Sequence, residues 1–319
     1  MEMSMASKES EALSTLYKGW IETLTGTPDL PIEAVRRLFE HWGDVTAEPR
    51  GVDYVEVDAG GVPALWAIPK DAALDRVLQA THGGGYVVGS PYSHRKLFGH
   101  IAKAVGARAL ILDYRRAPEH LHPAPVEDAV RSYKWLLSEG FRAEHIALVG
   151  DSAGGALAVT TLLLLREQGW PLPAASAPLS HWTDLLISGE TIETNAEKDH
   201  FVKRHLAEHL SSVYLGDGGS SPARRDPLAS PLYADLRGLP PLYVQVGGDE
   251  ALLADSSRFV DAARAAGADV TYGVYPEQQH VFHFLAGTAP EADQAVRDLA
   301  VWFRQHLGLA QAGHRAAAE

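Results

Sequence analysis

Between residues 9 and 43, apolar positions recur at helical spacing. Leu13, Leu16, Tyr17, Trp20, Ile21 and Leu24 fall on neighbouring turns, and Pro31 opens a second helical stretch. The period then changes. Residues 52–57 and 63–68 read as strands parted by Gly60-Gly61. From there the chain alternates, with strands expected at 77–81, 109–113 and 145–149 and helices at 93–105, 126–137 and from Ala156 onward. Two later strands, 242–246 and 270–275, flank a helix at 253–266. Strands alternating with helices predict an α/β fold whose mostly parallel central sheet carries helices on both faces. The alternation stops between Asp184 and Asp235, a helical and loop-like stretch carrying Gly216-Asp217-Gly218-Gly219, which reads as an insertion over the sheet. After Leu307 the chain is Ala-rich and is expected to fray.

Composition narrows the classes of function. At 319 residues the chain can bury a full core, and its 46% hydrophobic and 22% charged residues are ordinary for a globular protein. A net charge of −13 argues against nucleic acid or an anionic membrane as partner, because both would repel it. With no cysteine there is no disulfide, no thiolate metal site and no Cys nucleophile. The first twenty residues lack a basic start followed by an apolar core, and no stretch reaches the roughly 18 apolar residues of a membrane helix. The default expectation is a soluble cytoplasmic protein.

The most informative motif is Gly150-Asp151-Ser152-Ala153-Gly154, which follows the apolar run 145–149 and opens a long apolar helix. Strand, G-x-S-x-G and helix together make the setting in which a serine is held on a sharp turn as a nucleophile. The flanking glycines leave room that a Cβ would fill, and the helix start aims N–H groups and dipole at an oxyanion forming there. Three further groups follow strands. His82-Gly83-Gly84-Gly85-Tyr86 follows 77–81, and its bare backbone N–H groups can approach a developing oxyanion. The run is one residue too long for the G-x-G-x-x-G dinucleotide fingerprint. Gly247-Gly248-Asp249-Glu250 follows 242–246, and Pro276 to His280 follows 270–275.

Ser152, Asp249 and His280 therefore occur in the order nucleophile, acid, base, with separations of 97 and 31 residues. That order is the one found on α/β-hydrolases and differs from both major serine-protease orders. Ser152 would attack, His280 would take its proton, and Asp249 would hold the imidazole tautomer. Glu250 and Asp255 stand as alternatives to Asp249, and His283 as an alternative to His280.

Five ordered segments, HGGGY, DYRRAPEH (113–120), GDSAGG (150–155), GGDEALLADS (247–256) and YPEQQHVFH (275–283), resemble the hormone-sensitive-lipase-like esterases, the bacterial family IV carboxylesterases. The resemblance spans about residues 52–307. It implies a single α/β-hydrolase domain over 1–319, with a helical cap formed by about 1–45 and about 184–225. It implies hydrolysis of short- to medium-chain carboxylic esters with no cofactor and no metal, Ser152, Asp249 and His280 as the triad, and an oxyanion hole of Gly84, Gly85 and Ala153. It is compatible with a homodimer. The 247–256 and 279–283 segments are most similar to a subgroup that includes monoterpene-lactone hydrolases. Arg116 and His181 depart from the family pattern, the second beside the expected pocket. Asp113, Arg115 and Glu119 are expected in buried hydrogen-bonded pairs that support the oxyanion loop.

Tyr86, Trp182, Phe201, Val281 and Phe282 are the candidates for lining the substrate pocket, with ordinary packing the alternative for each. His205-Leu-Ala-Glu208-His209 matches H-x-x-E-H, but a zinc site needs a third ligand, and a solvated helix explains the spacing as well. A ligand-binding receptor is the alternative from another class. Plant gibberellin receptors resemble this family but lack the catalytic histidine, whereas His280 is present here.

Overall fold

The computed structural model describes residues 6–216, 218 and 222–310; Asp217 and Gly219 of the insertion and most of the Ala-rich tail lie outside them. Two helices come first, α1 (Glu11–Gly26) and α2 (Ile32–Phe39), followed by a short 3₁₀ turn. The remaining strands and α-helices are β1 (Val52–Asp58), β2 (Pro63–Pro69), β3 (Ala73–Thr81), α3 (Pro91–Val105), β4 (Ala107–Leu112), α4 (Ala124–Ser138), β5 (Ile146–Asp151), α5 (Ala153–Glu167), β6 (Ala175–Leu179), α6 (Thr191–Thr194), α7 (Arg204–Leu215), β7 (Leu242–Gly247), α8 (Leu253–Ala265), β8 (Val270–Tyr275) and α9 (Pro290–His306).

The strands form one sheet in the order β1-β2-β4-β3-β5-β6-β7-β8. β1 pairs antiparallel with β2, and β2 antiparallel with β4; every other pairing is parallel. β5 is buried at all six positions, as its unbroken apolar run requires of a strand covered on both sides. Right-handed crossovers place the helices. The chain steps one way from β3 through α3 to β4, and the opposite way through α4, α5 and α8. Helix α3 accordingly packs against α9, while α4 packs against α5, putting the two pairs on opposite faces.

The reversal between β3 and β5 creates a topological switch point, where ligands of open α/β sheets bind. Thr81 and Gly150, the ends of these adjacent strands, lie in register. The glycine loop after β3 and the serine turn after β5 are therefore neighbours, although about seventy residues separate them in sequence.

Two features depart from the hydrophobic pattern. β6 is built from Ala-Ser-Ala-Pro-Leu, without the β-branched and aromatic residues that mark a strand, and is held by pairing on both sides. Helix α3 starts two residues earlier than the pattern predicts because Ser90 caps it. Ser90 Oγ accepts from the N–H groups of Tyr92 and Ser93 at 3.1 and 3.2 Å, and Ser93 Oγ accepts from Ser90 N–H at 2.9 Å. Pro91 then fits the first helical turn. Replacing Ser90 by alanine is expected to cost about 1 kcal/mol of stability, measured as a lowered urea midpoint at unchanged m-value.

Among the described residues no helix is long and apolar enough to cross a membrane.

Candidate active site

Ser152 occupies the turn between β5 and α5 with φ +53° and ψ −123°, a region an L-residue enters only when its surroundings force it. The cause is visible in the glycines. A Cβ on Gly150 would stand 2.3 Å from Gly154 O, and one on Gly154 would stand 2.0 Å from Thr81 O, so neither position admits a side chain. The serine N–H is tied to Leu179 O at 2.8 Å, leaving the side chain to project from the top of the sheet.

His280 arrives from the turn after β8. Its Nε2 lies 2.9 Å from Ser152 Oγ, and its Nδ1 lies 2.8 Å from Oε2 of Glu250. A carboxylate only accepts, so Nδ1 carries the proton and Nε2 is left to take one from the serine. Glu250 is fully buried, and its Oε1 accepts from Ser180 Oγ at 2.6 Å and from Gly247 N–H at 2.5 Å. Burial pushes this carboxyl up, opposed by those bonds and by His280. For His280, burial alone would lower the imidazole, but the bond to Glu250 and its charge outweigh burial, and the net shift is upward.

The acid expected from sequence is thereby corrected. Asp249 does not reach His280; it sits half-buried in the turn, where its backbone N–H donates to Gln278 O at 3.2 Å. The neighbouring Glu250, one residue on and one methylene longer, turns inward instead. Asp255 is buried but accepts from the backbone N–H groups of Thr183 and Asp184 at 2.9 and 3.0 Å, and burial beside Asp184 raises it to about 7. His283 is engaged elsewhere too, its Nε2 lying 2.9 Å from Gln245 Oε1.

The glycine loop is anchored from behind. Gly83 N–H donates to Asp151 Oδ1 at 3.1 Å, and Asp151 Oδ2 lies 3.3 Å from His94 Nε2. Gly84 has φ +114°, and a Cβ there would strike Val88 O at 2.2 Å. Gly84 and Gly85 border the same cavity as Ser152 and His280, while Ala153 heads α5, where an N–H has no preceding turn to bond.

The DYRRAPEH segment supports this loop differently from the expected buried pairs. Tyr114 OH donates to His82 O at 2.7 Å, and Arg116 donates to Gly89 O. Arg116 also lies 3.3 Å from Asp113, whereas Arg115 pairs with Asp128. Glu119 is exposed and binds Arg36 of α2, which also donates to Val87 O at 3.0 Å and Ala117 O at 2.9 Å. No sequence signal marks Arg36, since only the fold brings α2 to this loop.

A cavity of about 780 Å³ opens over Ser152, walled mainly by apolar side chains of α1, α2 and α7 such as Ile21, Leu24, Val35, Leu206 and Leu210. Trp182 and Phe201 line it. The other three pocket candidates do not. Tyr86 stacks on Tyr214 at 3.9 Å, Phe282 packs against Tyr275 at 4.9 Å, and Val281 is fully buried in the turn behind His280. His205 and His209 are exposed at the cavity wall on α7. Glu208 Oε1 lies 3.5 Å from Arg204, and among the described residues no three His, Cys, Asp or Glu side chains are grouped to hold a metal ion.

A family model described as the alpha/beta hydrolase fold matches residues 78–284. An acetyl-hydrolase of Streptomyces hygroscopicus is 39% identical over 305 residues, covering 95% of this chain and 99% of its own. An esterase of Acinetobacter venetianus is 33% identical over 233 residues, 73% of this chain and 76% of its own. Among solved structures, an esterase from the bacterial hormone-sensitive lipase family superposes with a TM-score of 0.89 at 42% identity, covering 96% of this chain and 100% of its own.

Proposed function

Because this chain belongs to the hormone-sensitive-lipase-like family of bacterial carboxylesterases and is a carboxylic ester hydrolase of the α/β-hydrolase fold, we propose that it works through an acyl-enzyme on Ser152. The reading is carried by one observation: the unbroken relay from Ser152 Oγ through His280 to Glu250, at 2.9 and 2.8 Å, facing an apolar cavity. Ser152 Oγ attacks the ester carbonyl as His280 Nε2 takes its proton. The N–H groups of Gly84, Gly85 and Ala153 receive the oxyanion. The imidazolium, stabilised by Glu250, returns its proton to the leaving alcohol. A water deprotonated by His280 then attacks the acyl carbon, and the acid leaves with Ser152 regenerated.

Helices α1 and α2 and the insertion carrying α7 act as a cap, because both wall the cavity above the serine. The cavity's size and apolar lining suit acyl chains of short to medium length. A panel of p-nitrophenyl esters from acetyl to palmitoyl, with lactones included, tests this. Highest kcat/KM is expected between acetyl and octanoyl, with Ser152 labelled by a fluorophosphonate. Preference for lactones would move the substrate class while keeping the mechanism. Failure to label Ser152 would overturn the mechanism.

A pH dependence follows from the same geometry. His280 must be neutral to accept the serine proton, and Glu250 raises its pKa. The acid limb of kcat/KM is therefore expected above the ordinary imidazole value of about 6.5, with activity lost as pH falls through it.

A further inference from the structure

The turn that carries His280 is held mostly by groups from outside the sheet. It is bracketed by two non-glycine residues in left-handed conformation, Glu277 at φ +56° and Val281 at φ +50°, so its backbone needs external support. Four consecutive residues, 278–281, make hydrogen bonds in which a side chain takes part. Ser10 Oγ donates to Gln278 Oε1 at 3.2 Å. Gln279 accepts from His200 N–H at 2.8 Å and donates to Lys198 O at 2.9 Å. Tyr17 OH donates to His280 O at 2.8 Å. Val281 N–H donates to Ser180 Oγ at 3.2 Å, the hydroxyl that also binds Glu250. Three of these four attachments come from the two helical segments that wall the cavity.

The Tyr17 bond bears most directly on the imidazole. Tyr17 is fully buried on α1, and its oxygen is itself fixed by Trp42 Nε1–H at 3.1 Å. Its ring stacks on Phe201 at 4.6 Å, and Phe201 lies over the His280 ring at 6.0 Å with an interplanar angle of 25°. One tyrosine therefore bonds the histidine's peptide carbonyl directly and packs on the phenylalanine that faces the imidazole ring.

We propose that Tyr17 is a positioning residue for the base: its hydroxyl holds the His280 peptide so that the imidazole stands in line between Glu250 and Ser152. The inference rests on the serine mechanism proposed above, with His280 as base. Cap and base are then mechanically joined, since α1 both walls the substrate cavity and holds the histidine turn. Loss of the hydroxyl would let the turn relax, lengthening the Nδ1 bond to Glu250 and the Nε2 approach to Ser152 together.

Full-length Tyr17→Phe, which keeps the ring and removes the hydroxyl, tests this with p-nitrophenyl acetate. Rates are counted per site titrated by fluorophosphonate, so that only folded enzyme enters. The expected result is kcat lowered about tenfold, roughly the scale of one lost hydrogen bond, with KM within about twofold of wild type. The acid limb is also expected to move to lower pH, because a loosened bond to Glu250 raises the imidazole less. The other groups acting on His280, Asp199 and Asp151, are unaltered by the substitution, and His283, which burial lowers to about 3, stays neutral. The limb thus reports the Glu250 geometry. A lowered Tm with wild-type kcat and acid limb would show a purely structural tyrosine and overturn the proposal. Should Tyr17→Phe not accumulate folded, Trp42→Phe frees the phenol oxygen, and a smaller shift of the same sign is expected; an unmoved acid limb there overturns it equally. Absence of labelling in the wild type would instead sink the serine mechanism, so the two failures are distinct.

Discussion

Glu250→Gln is expected to lower kcat/KM for a short p-nitrophenyl ester by on the order of 10³- to 10⁴-fold, while Asp249→Asn stays within about threefold of wild type. The size follows from how Glu250 is held. Its Oε1 already accepts from Ser180 Oγ and Gly247 N–H. A glutamine would place its amide oxygen there, because both neighbours donate, and so turn its NH₂ toward His280 Nδ1. That group donates as well, so the imidazole would be driven to the tautomer with its proton on Nε2, where it cannot take one from Ser152. The negative charge that stabilises the imidazolium is lost at the same step. Asp249 makes no such contact, and neutralising a half-buried turn carboxylate leaves the relay intact. Steady-state kinetics on both variants decide the matter. Full activity in Glu250→Gln with collapse in Asp249→Asn would reverse the assignment.

Ser152→Ala is expected to remove about 10⁵- to 10⁶-fold of kcat, with circular dichroism and thermal unfolding close to wild type. Alanine fits the tight turn, because the strain there is a matter of backbone and flanking glycines and not of the hydroxyl. What disappears is the atom proposed to form the acyl-enzyme. Residual turnover above the uncatalysed rate would come from binding and the N–H groups of Gly84, Gly85 and Ala153. Adding His280→Ala to Ser152→Ala should cost little more, since the two act as a unit and the base has no proton to take once the hydroxyl is gone. Near-wild-type hydrolysis by Ser152→Ala would mean another group attacks the ester, and the elbow would be architecture alone.

Much of the frame was legible from local pattern. Continuous apolar runs separated by amphipathic helices specify a covered parallel sheet, and glycines two positions either side of Ser152 specify a turn no larger residue can make. Strand ends carrying Ser152, a carboxylate pair and His280 are likewise a sequence property, as is their order. β6 escaped because Ala, Ser and Pro carry no strand signal of their own; pairing with β5 and β7 makes it a strand. The pocket was half legible: Trp182 and Phe201 border it, while Tyr86, Val281 and Phe282 look equally apolar in sequence and pack away from it.

The sequence by itself determined most strands of the sheet, the elbow and the proposed pair of serine and histidine, because each is written in neighbouring residues whose steric and hydrophobic demands are local. The tertiary structure alone decided which of two adjacent carboxylates serves the histidine. Asp249 and Glu250 share a turn, and only the approach of His280 from β8 selects the side chain long and inward-facing enough to reach Nδ1. It alone also decided that α1 reaches across more than 260 residues of sequence to hold the histidine peptide. A hydrogen bond between such distant groups leaves no periodicity to read, since its geometry exists only once the sheet has brought them together.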